Sequence, residues 1–309
     1  MFQPNLATST RAKGSTNLGK VARQAIVLFK LRVVSLLLLA AIGGAFLGNG
    51  GSPSLPILCA ILITGTLAAG GASAINEYLE RGKDQLMHRT QRRPLATGNW
   101  KHPAMILGVG IAMILLAVLV TYPFNPVMAF FLGLGAVIYV GIYTIWLKPR
   151  TVLNIVIGGA AGSCAVLTGG AAVGAAADPA VIVLALLVFL WTPVHFWALA
   201  MFYRDDYQAA EIPMLPVQAP QEQSARWILI HALSAVFAAL LLGITPHLGW
   251  AYLVPTGIFS ALLIYHSLRL LKNPGRKEAI RLFLTSNEFL GIIMVTVVLV
   301  TWGRQLFLQ

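Results

Sequence analysis

Three oxygen-bearing side chains follow one another at a spacing of four residues, in a polar stretch between two long apolar segments: Asn76, Glu80 and Asp84. On a continuous helix this spacing places them on one face, about 6 Å of rise apart. Such a row of oxygen ligands suits Mg²⁺, which binds a few carboxylates and completes its shell with phosphate and water. The spacing predicts a metal site, and the alternative is a loop whose acids are simply solvated.

Arginine residues come directly after these acids, at positions 89, 92 and 93. Guanidinium groups present forked donors that match the oxygens of a phosphate group. An acid row followed by arginines therefore indicates a site for a metal ion and a diphosphate near a membrane surface.

A second acidic stretch begins at Asp205 and Asp206, and seven of the ten Asp and Glu residues lie in these two regions. Seven acids near one pocket repel one another unless basic side chains or metal ions lie among them. We predict Asp205 as a further metal ligand, with Asp206 as the alternative. Adjacent residues on a helix point about 100° apart, so we do not expect both to bind the metal.

The composition is that of a polytopic membrane protein, because 58% of the 309 residues are hydrophobic, 10% are charged and the mean hydropathy is +0.78. Segments of about 20 apolar residues are long enough to cross a bilayer. Nine such segments are present, at 26–48, 55–75, 103–122, 126–147, 152–174, 179–202, 227–245, 250–271 and 282–302. We therefore expect an all-α membrane protein with nine transmembrane helices in a bundle around a central cavity.

The basic residues predict the orientation of this bundle. The N-terminus and the loops after spans 2, 4, 6 and 8, with the adjoining helix ends, contain 21 of the 22 Lys and Arg residues. This asymmetry places the N-terminus in the cytoplasm. It also accounts for the net charge of +12 without nucleic acid, because a basic face meets anionic lipid and anionic substrate.

Residues 1–24 contain no acid, which is typical of a cytoplasmic tail in a bacterial protein and also of a mitochondrial transit peptide. We favour the bacterial inner membrane over the mitochondrial inner membrane. Residues 25–309 are expected to form a single polytopic domain. Runs of Gly and Ala at 65–72 and 158–162 predict that spans 2 and 5 approach their neighbours closely.

Several motifs give the chain a resemblance to the protoheme IX farnesyltransferase (heme O synthase) family, within the UbiA-type superfamily of intramembrane prenyltransferases. They are Asn76…Glu80…Asp84, Met87-x-Arg89-Thr90-x-x-Arg93-Pro94-Leu95, Tyr143-Thr144 with Lys148, Trp191-Thr192-Pro193-x-His195-Phe196-Trp197-Ala198-Leu199-Ala200, and Asp205-Asp206-Tyr207 with Pro213-Met214-Leu215-Pro216. The acids alone indicate the superfamily, whereas the arginine and His-Phe-Trp motifs point to the heme branch. Many members of the family have Asp where this chain has Glu80.

The resemblance implies transfer of a farnesyl group from farnesyl diphosphate to a vinyl group of heme b, which gives heme O. It implies Mg²⁺ or a similar divalent cation as cofactor, and heme b as a substrate. It also implies that the product serves terminal oxidase assembly and suggests contact with the enzyme that oxidises heme O.

On this basis each candidate residue has an expected role. Asn76, Glu80, Asp84 and Asp205, with Asp206 as the alternative, would hold the metal, and Arg89, Arg93 and Lys148 would bind phosphate oxygens. Tyr143, Phe196, Trp197 and Tyr203 could shield the allylic cation through their ring faces or serve as interfacial anchors. His195 could bind the heme iron or form a hydrogen bond within the bundle. Asn154 could contact the substrate or join two helices.

Two alternatives differ in their predictions. A UbiA-type enzyme that prenylates a quinone precursor or another aromatic acceptor would turn over an aromatic acid without binding heme. A secondary transporter would place its acids near the bilayer midplane, whereas these acids cluster at one surface. Glu288, inside span 9, matches no family motif, and such an acid indicates either function or a hydrogen bond to Asn287 and Ser286.

Overall fold

The computed structural model describes residues 17–98, 100–245 and 248–307, and within these ranges it contains helices and no strands. Most of the predicted tail 1–24 lies outside the described residues. The helices are α1 Asn17–Leu28, α2 Leu31–Asn49, α3 Leu55–Gln85, α4 Pro103–Thr121, α5 Pro126–Ala136 continued by a π-helix at Val137–Leu147, α6 Asn154–Gly158, α7 Ala160–Ala172, α8 Pro179–Phe202, α9 Arg204–Ala209, α10 Leu215–Gln218, α11 Gln221–Leu242, α12 Gly249–Lys272 and α13 Arg276–Phe307.

Nine helical segments in the described part of the chain are long and apolar enough to cross a membrane. They correspond to the nine segments predicted from the sequence, so the all-α membrane fold is confirmed. Helix α3 packs on α4, α2 packs on α7, and α8 packs on α11 and α13. The cytoplasmic location of the N-terminus and the central cavity stay predictions.

Short polar residues before proline begin two of these spans. Asn125 accepts a hydrogen bond from the Met128 backbone N–H at 2.9 Å, and Asp178 accepts one from the Ala180 backbone N–H at 2.8 Å. A proline follows each cap, where its missing N–H has no helical partner to lose. Local chemistry is therefore sufficient to fix these helix starts.

The first span begins at Leu31 and not at residue 26, because the helix is interrupted at Lys30. Lys30 has a left-handed backbone with a φ of 48°, which is costly for a residue with a side chain. Its ammonium group bonds to Asn76 and to the Tyr139 hydroxyl, the latter at 3.1 Å. The interruption thus turns a basic side chain from the beginning of α2 towards α3 and the π-helix.

The close helix approach predicted for the glycine-rich spans is present. A methyl group built on Gly169 of α7 would overlap with the Ala41 carbonyl oxygen of α2. Between α3 and α4, a methyl group on Gly71 would lie 2.6 Å from the Gly110 carbonyl oxygen. Helix backbones meet directly at these two positions, and only glycine fits them.

We expect Gly169→Ala to lower the melting temperature of the protein in detergent by roughly 5 °C or more, because overpacking against a backbone carbonyl costs about 2 kcal/mol or more. Gly108→Ala on α4 is the matched control, since a methyl group there meets no atom within 4 Å. Equal melting temperatures for the two variants would contradict the close contact.

Candidate active site

The acid row lies on one helix, as predicted, because α3 continues through the polar stretch to Gln85. Asn76, Glu80 and Asp84 are 1%, 8% and 0% exposed. The Glu80 and Asp84 carboxylates are therefore not the solvated acids of a surface loop. A buried carboxylate requires a cation or hydrogen-bond donors beside it.

Each member of the row is bound by a different basic side chain. The Lys30 ammonium donates to Asn76 Oδ1, and the Lys148 ammonium forms an ion pair with Glu80 Oε1. Arg93 donates to both carboxylate oxygens of Asp84, at 2.8 and 3.1 Å. Three cations from three parts of the chain thus face three oxygen ligands on α3.

These ion pairs shift the pKa values of Lys148 and Arg93. Burial would lower the pKa of Lys148, but the Glu80 carboxylate outweighs it and raises that pKa above the usual lysine value. Burial likewise opposes protonation of Arg93, and Asp84 outweighs it and raises the Arg93 pKa. Both side chains are therefore fully charged at neutral pH.

The arginine-bearing loop, residues 86–98, is held against the end of α3 by hydrogen bonds. Gln85 Nε2 donates to the Ala96 carbonyl at 2.9 Å, and Thr90 Oγ1 donates to the Asp84 carbonyl at 3.0 Å. The Leu95 backbone N–H donates to Glu77 Oε1 at 3.3 Å. Glu77 is fully buried and therefore anchors the loop, a role that the sequence analysis did not assign to it.

The second acidic stretch joins this loop through Asp206. Asp206 is buried, and its Oδ2 accepts a hydrogen bond from the Arg89 backbone N–H at 3.1 Å. The Arg89 guanidinium donates to the Tyr207 hydroxyl at 3.1 Å and lies 5.2 Å from the centre of the Tyr203 ring. The two predicted acidic regions are therefore brought together, with the arginine loop between them.

Asp205 points elsewhere. Its side chain is 87% exposed, and its nearest ionic partner is the exposed Arg276, at 3.7 Å. Asp206, the alternative from the sequence, is the member of the pair that reaches the arginine loop. A metal-binding role for Asp205 stays a prediction.

A π-helix positions Tyr139, Thr144 and Lys148 on one side. An α-helix turns by about 100° per residue, so Lys148 would lie on the opposite side from Tyr139. A π-helix has more residues per turn, and here the Lys148 N–H donates to the Tyr143 carbonyl at 2.8 Å. This wider turn returns Lys148 to the side of the helix on which Tyr139 lies. Thr144 then accepts from Asn76 Nδ2 at 3.0 Å, and Lys148 lies 5.5 Å from the centre of the Tyr143 ring.

His195 lies on α8, seven residues before its last residue, Phe202, which is about 10 Å of helix. Its Nδ1 is 3.0 Å from Ser286 Oγ of α13. Aromatic rings surround the imidazole, with the Trp191 ring stacked at 4.6 Å and the Phe196 ring edge-on at 5.1 Å between centroids. The hydrogen bond predicted within the bundle is therefore present on one ring nitrogen.

Two other predicted substrate contacts face neighbouring helices. Trp197 is 3% exposed and packs edge-on against His231 of α11. Asn154 is fully buried at the start of α6, where its Nδ2 donates to the Thr151 carbonyl and to the Pro213 carbonyl, the latter at 3.4 Å. Asn154 thus links the start of α6 to the segment before α10 through hydrogen bonds. The substrate-contact roles of Trp197 and Asn154 stay predictions.

Glu288 lies outside this site. It is exposed on α13, and Asn287 and Ser286 donate to the Phe283 carbonyl instead of to its carboxylate. The hydrogen bond predicted between the Glu288 carboxylate and Asn287 or Ser286 is therefore not formed.

Lys30 is a further residue of this site that was not predicted from the sequence. Burial lowers the pKa of its ammonium group to about 7, an effect that Arg93 and Lys148 reinforce and Glu80 and Asp84 oppose. The available signal was a single lysine inside an apolar run, between Phe29 and Leu31. Such a lysine is easily taken for the interfacial end of a span.

The donor set fits a hard divalent cation that also binds phosphate. Among the described residues, no group of three or more His, Cys, Asp and Glu side chains is arranged to hold a metal by itself. Asn76, Glu80 and Asp84 nevertheless offer one amide oxygen and two carboxylates as possible metal ligands on one face of α3. Mg²⁺ needs only one or two carboxylates when phosphate oxygens and water complete its shell.

Comparison of the sequence with known proteins gives consistent results. A sequence model of the UbiA prenyltransferase family matches residues 36–293. The chain is 45% identical over 273 residues to the protoheme IX farnesyltransferase of Metallosphaera sedula, covering 88% of this chain and 94% of that protein. It is 44% identical over 279 residues to the protein of the same name from Sulfurisphaera tokodaii, covering 89% and 92%.

Solved structures share the fold. A digeranylgeranylglyceryl phosphate synthase superposes with a TM-score of 0.76 at 16% identity, covering 92% of this chain and 99% of that chain. A UbiA homolog from Archaeoglobus fulgidus bound to GPP and Mg²⁺ superposes with a TM-score of 0.61 at 15% identity, covering 89% and 99%. At these identities the likeness concerns the helical architecture.

Proposed function

The chain belongs to the UbiA prenyltransferase family, and from this premise we propose that it transfers a farnesyl group from farnesyl diphosphate to a vinyl group of heme b. The observation that carries the proposal is the set of cations paired with the oxygen row of α3, in a chain similar over most of its length to two protoheme IX farnesyltransferases. The products are diphosphate and, after addition of water to the alkylated vinyl group, heme O.

Departure of the diphosphate is the step that the charged residues serve. The carbon–oxygen bond breaks with its electron pair on the diphosphate, whose negative charge must be neutralised. We propose that Lys148, Arg93 and Arg89 donate to its oxygens and that Lys30, when protonated, adds a fourth positive charge. Held by Asn76, Glu80 and Asp84, with Asp206 or Asp205 from the other side, Mg²⁺ would supply further positive charge to the leaving group.

The two ion pairs bear on how the site would hold a metal ion and a diphosphate together. Lys148 and Arg93 neutralise the buried Glu80 and Asp84 carboxylates. With Glu80 and Asp84 as ligands of a metal ion, Lys148 and Arg93 would turn to the phosphate oxygens. Either arrangement gives the buried carboxylates a counterion.

The allylic cation needs protection from water until the vinyl electrons attack it. Tyr143, beside Lys148, and Tyr203, beside Arg89, have their rings next to the cations that would bind the diphosphate. Their faces can stabilise a carbocation through the cation–π interaction. Phe196, in contact with His195, has the same capacity nearer to the proposed acceptor.

We propose that heme b lies on the α8 side of the diphosphate, with its iron near His195, and that heme O then passes to the enzyme that oxidises it. The chain is a multi-pass membrane protein. A cytoplasmic N-terminus places the charged site at the cytoplasmic end of the bundle, and the bacterial inner membrane remains our prediction for its location.

The test is incubation of the purified protein with Mg²⁺, farnesyl diphosphate and heme b, followed by mass spectrometry. We expect a product with the mass of the hydroxyethylfarnesyl adduct of heme. A parallel reaction contains an aromatic acid in place of heme. Turnover of the aromatic acid, with no heme adduct, would overturn the proposal in favour of a quinone-type acceptor.

A further inference from the structure

We propose that Ser286 is a positioning residue, which fixes the tautomer and direction of His195 so that the Nε2 lone pair is directed at the iron of heme b. The proposal rests on the proposed function for the identity of the ligand. The geometry of the imidazole itself does not depend on that function.

The hydrogen-bond directions around Ser286 assign the proton on His195. The Ser286 hydroxyl donates to the Phe283 carbonyl at 2.7 Å, and a carbonyl oxygen can only accept. With the hydroxyl proton in the shorter of these two contacts, at 2.7 Å, Ser286 Oγ is the acceptor for His195 Nδ1, at 3.0 Å. In a neutral imidazole this leaves the proton on Nδ1 and a free lone pair on Nε2.

Aromatic rings fix the plane of the same imidazole. The Trp191 ring is stacked on it at 4.6 Å with an interplanar angle of 22°, and the Phe283 ring lies at 4.4 Å with an angle of 30°. His195 Nε2 makes no hydrogen bond with any residue that the structure describes. One plane and one occupied nitrogen together define a single direction for the remaining lone pair.

The surroundings favour a metal ion over a proton as the partner of this lone pair. Aromatic rings stabilise a charged imidazolium less well than water does, and none of the hydrogen bonds or ion pairs of the described residues brings a carboxylate to His195. A neutral imidazole whose Nδ1–H is held by an oxygen acceptor is a common ligand arrangement for heme iron and other transition metals. These surroundings therefore suit a metal centre as the partner of Nε2.

The Ser286 hydroxyl can be removed without breaking the contact between α8 and α13. The indole N–H of Trp191 donates to the backbone carbonyl of Ser286 at 2.7 Å. Ser286→Ala keeps this hydrogen bond and loses the acceptor for His195, together with the hydroxyl's own hydrogen bond to the Phe283 carbonyl within α13. Ser163→Ala is the matched control, because Ser163 Oγ of α7 donates to the Ala185 carbonyl of α8 at 2.8 Å and does not contact His195.

The experiment titrates the purified full chain with reduced heme b and records the Soret band and the iron–histidine stretching band by resonance Raman spectroscopy. We expect the stretching band in the unmodified protein and its loss in His195→Ala. In Ser286→Ala we expect the band at a lower frequency and a heme Kd about tenfold higher. Ser286→Thr, which retains a hydroxyl, and Ser163→Ala should resemble the unmodified protein.

Two outcomes overturn the proposal. An unshifted band in Ser286→Ala removes the positioning role of Ser286, and a band that persists in His195→Ala removes His195 as the iron ligand. A protein with the expected bands that forms no heme O would overturn the proposed reaction and leave the ligand assignment standing.

Discussion

Replacing Asp84 by Asn should lower the rate of farnesyl transfer by roughly two to three orders of magnitude. Asn has the same size as Asp and fits the fully buried position, but it carries no charge with which to hold a metal ion. The change also removes the ion pair with Arg93, because Asn keeps only one of the two acceptor oxygens that Arg93 binds. The loss should therefore appear in kcat and also as a weaker dependence of the rate on Mg²⁺ concentration.

The matched control is Glu278→Gln, which removes another buried acid bound by arginines. Glu278 accepts from Arg269 at 3.2 Å and from Arg281 at 2.8 Å, where α12 and α13 meet. It belongs to no part of the proposed site, so its loss should affect stability more than rate. Equal loss of rate in both variants would mean that Asp84 supports the fold only. A rate within a few-fold of the unmodified enzyme in Asp84→Asn would contradict its role as a metal ligand.

Replacing Lys148 by Met should have two separate effects. It leaves Glu80 buried without its counterion, which typically costs 3–5 kcal/mol, so the melting temperature should fall. It also removes a donor to the diphosphate, so the transfer rate should fall by about a hundredfold. Adding Glu80→Gln to the Lys148→Met protein relieves the uncompensated charge, and most of the stability should return while the rate remains low.

Thermal unfolding and steady-state kinetics on the two single variants and the double variant separate the effects. Lys148→Arg serves as the control that keeps the charge, and it should retain more activity than Lys148→Met. Recovery of the rate together with the stability in the double variant would contradict a role for Lys148 in the reaction. In that case its only function would be to neutralise Glu80.

Several features of this protein follow from the sequence alone. The length of the apolar segments determines the nine spans found among the residues that the structure describes, because a helix must cover the thickness of the bilayer. Asn125 and Asp178 begin two of them through local hydrogen bonds. The four-residue spacing places Asn76, Glu80 and Asp84 on one face for the same geometric reason.

The partners of that face depend on the tertiary structure. Asp205 and Asp206 are adjacent, so the sequence does not distinguish which of them turns towards Arg89. The break between α8 and α9 decides that it is Asp206. Lys148 reaches Glu80 because the span ends as a π-helix, whereas α-helical periodicity would place it on the opposite side from Tyr139.

These partners could not be predicted from the sequence because they are far apart along the chain. Lys30 meets Asn76 across 46 residues, and His195 meets Ser286 across 91 residues. Periodicity predicts the face on which a side chain lies, but the helix that covers this face is selected by the packing of the whole bundle. The sequence therefore determined the fold and the chemistry of the oxygen row, and the tertiary structure decided which cations neutralise it and which nitrogen of His195 is free.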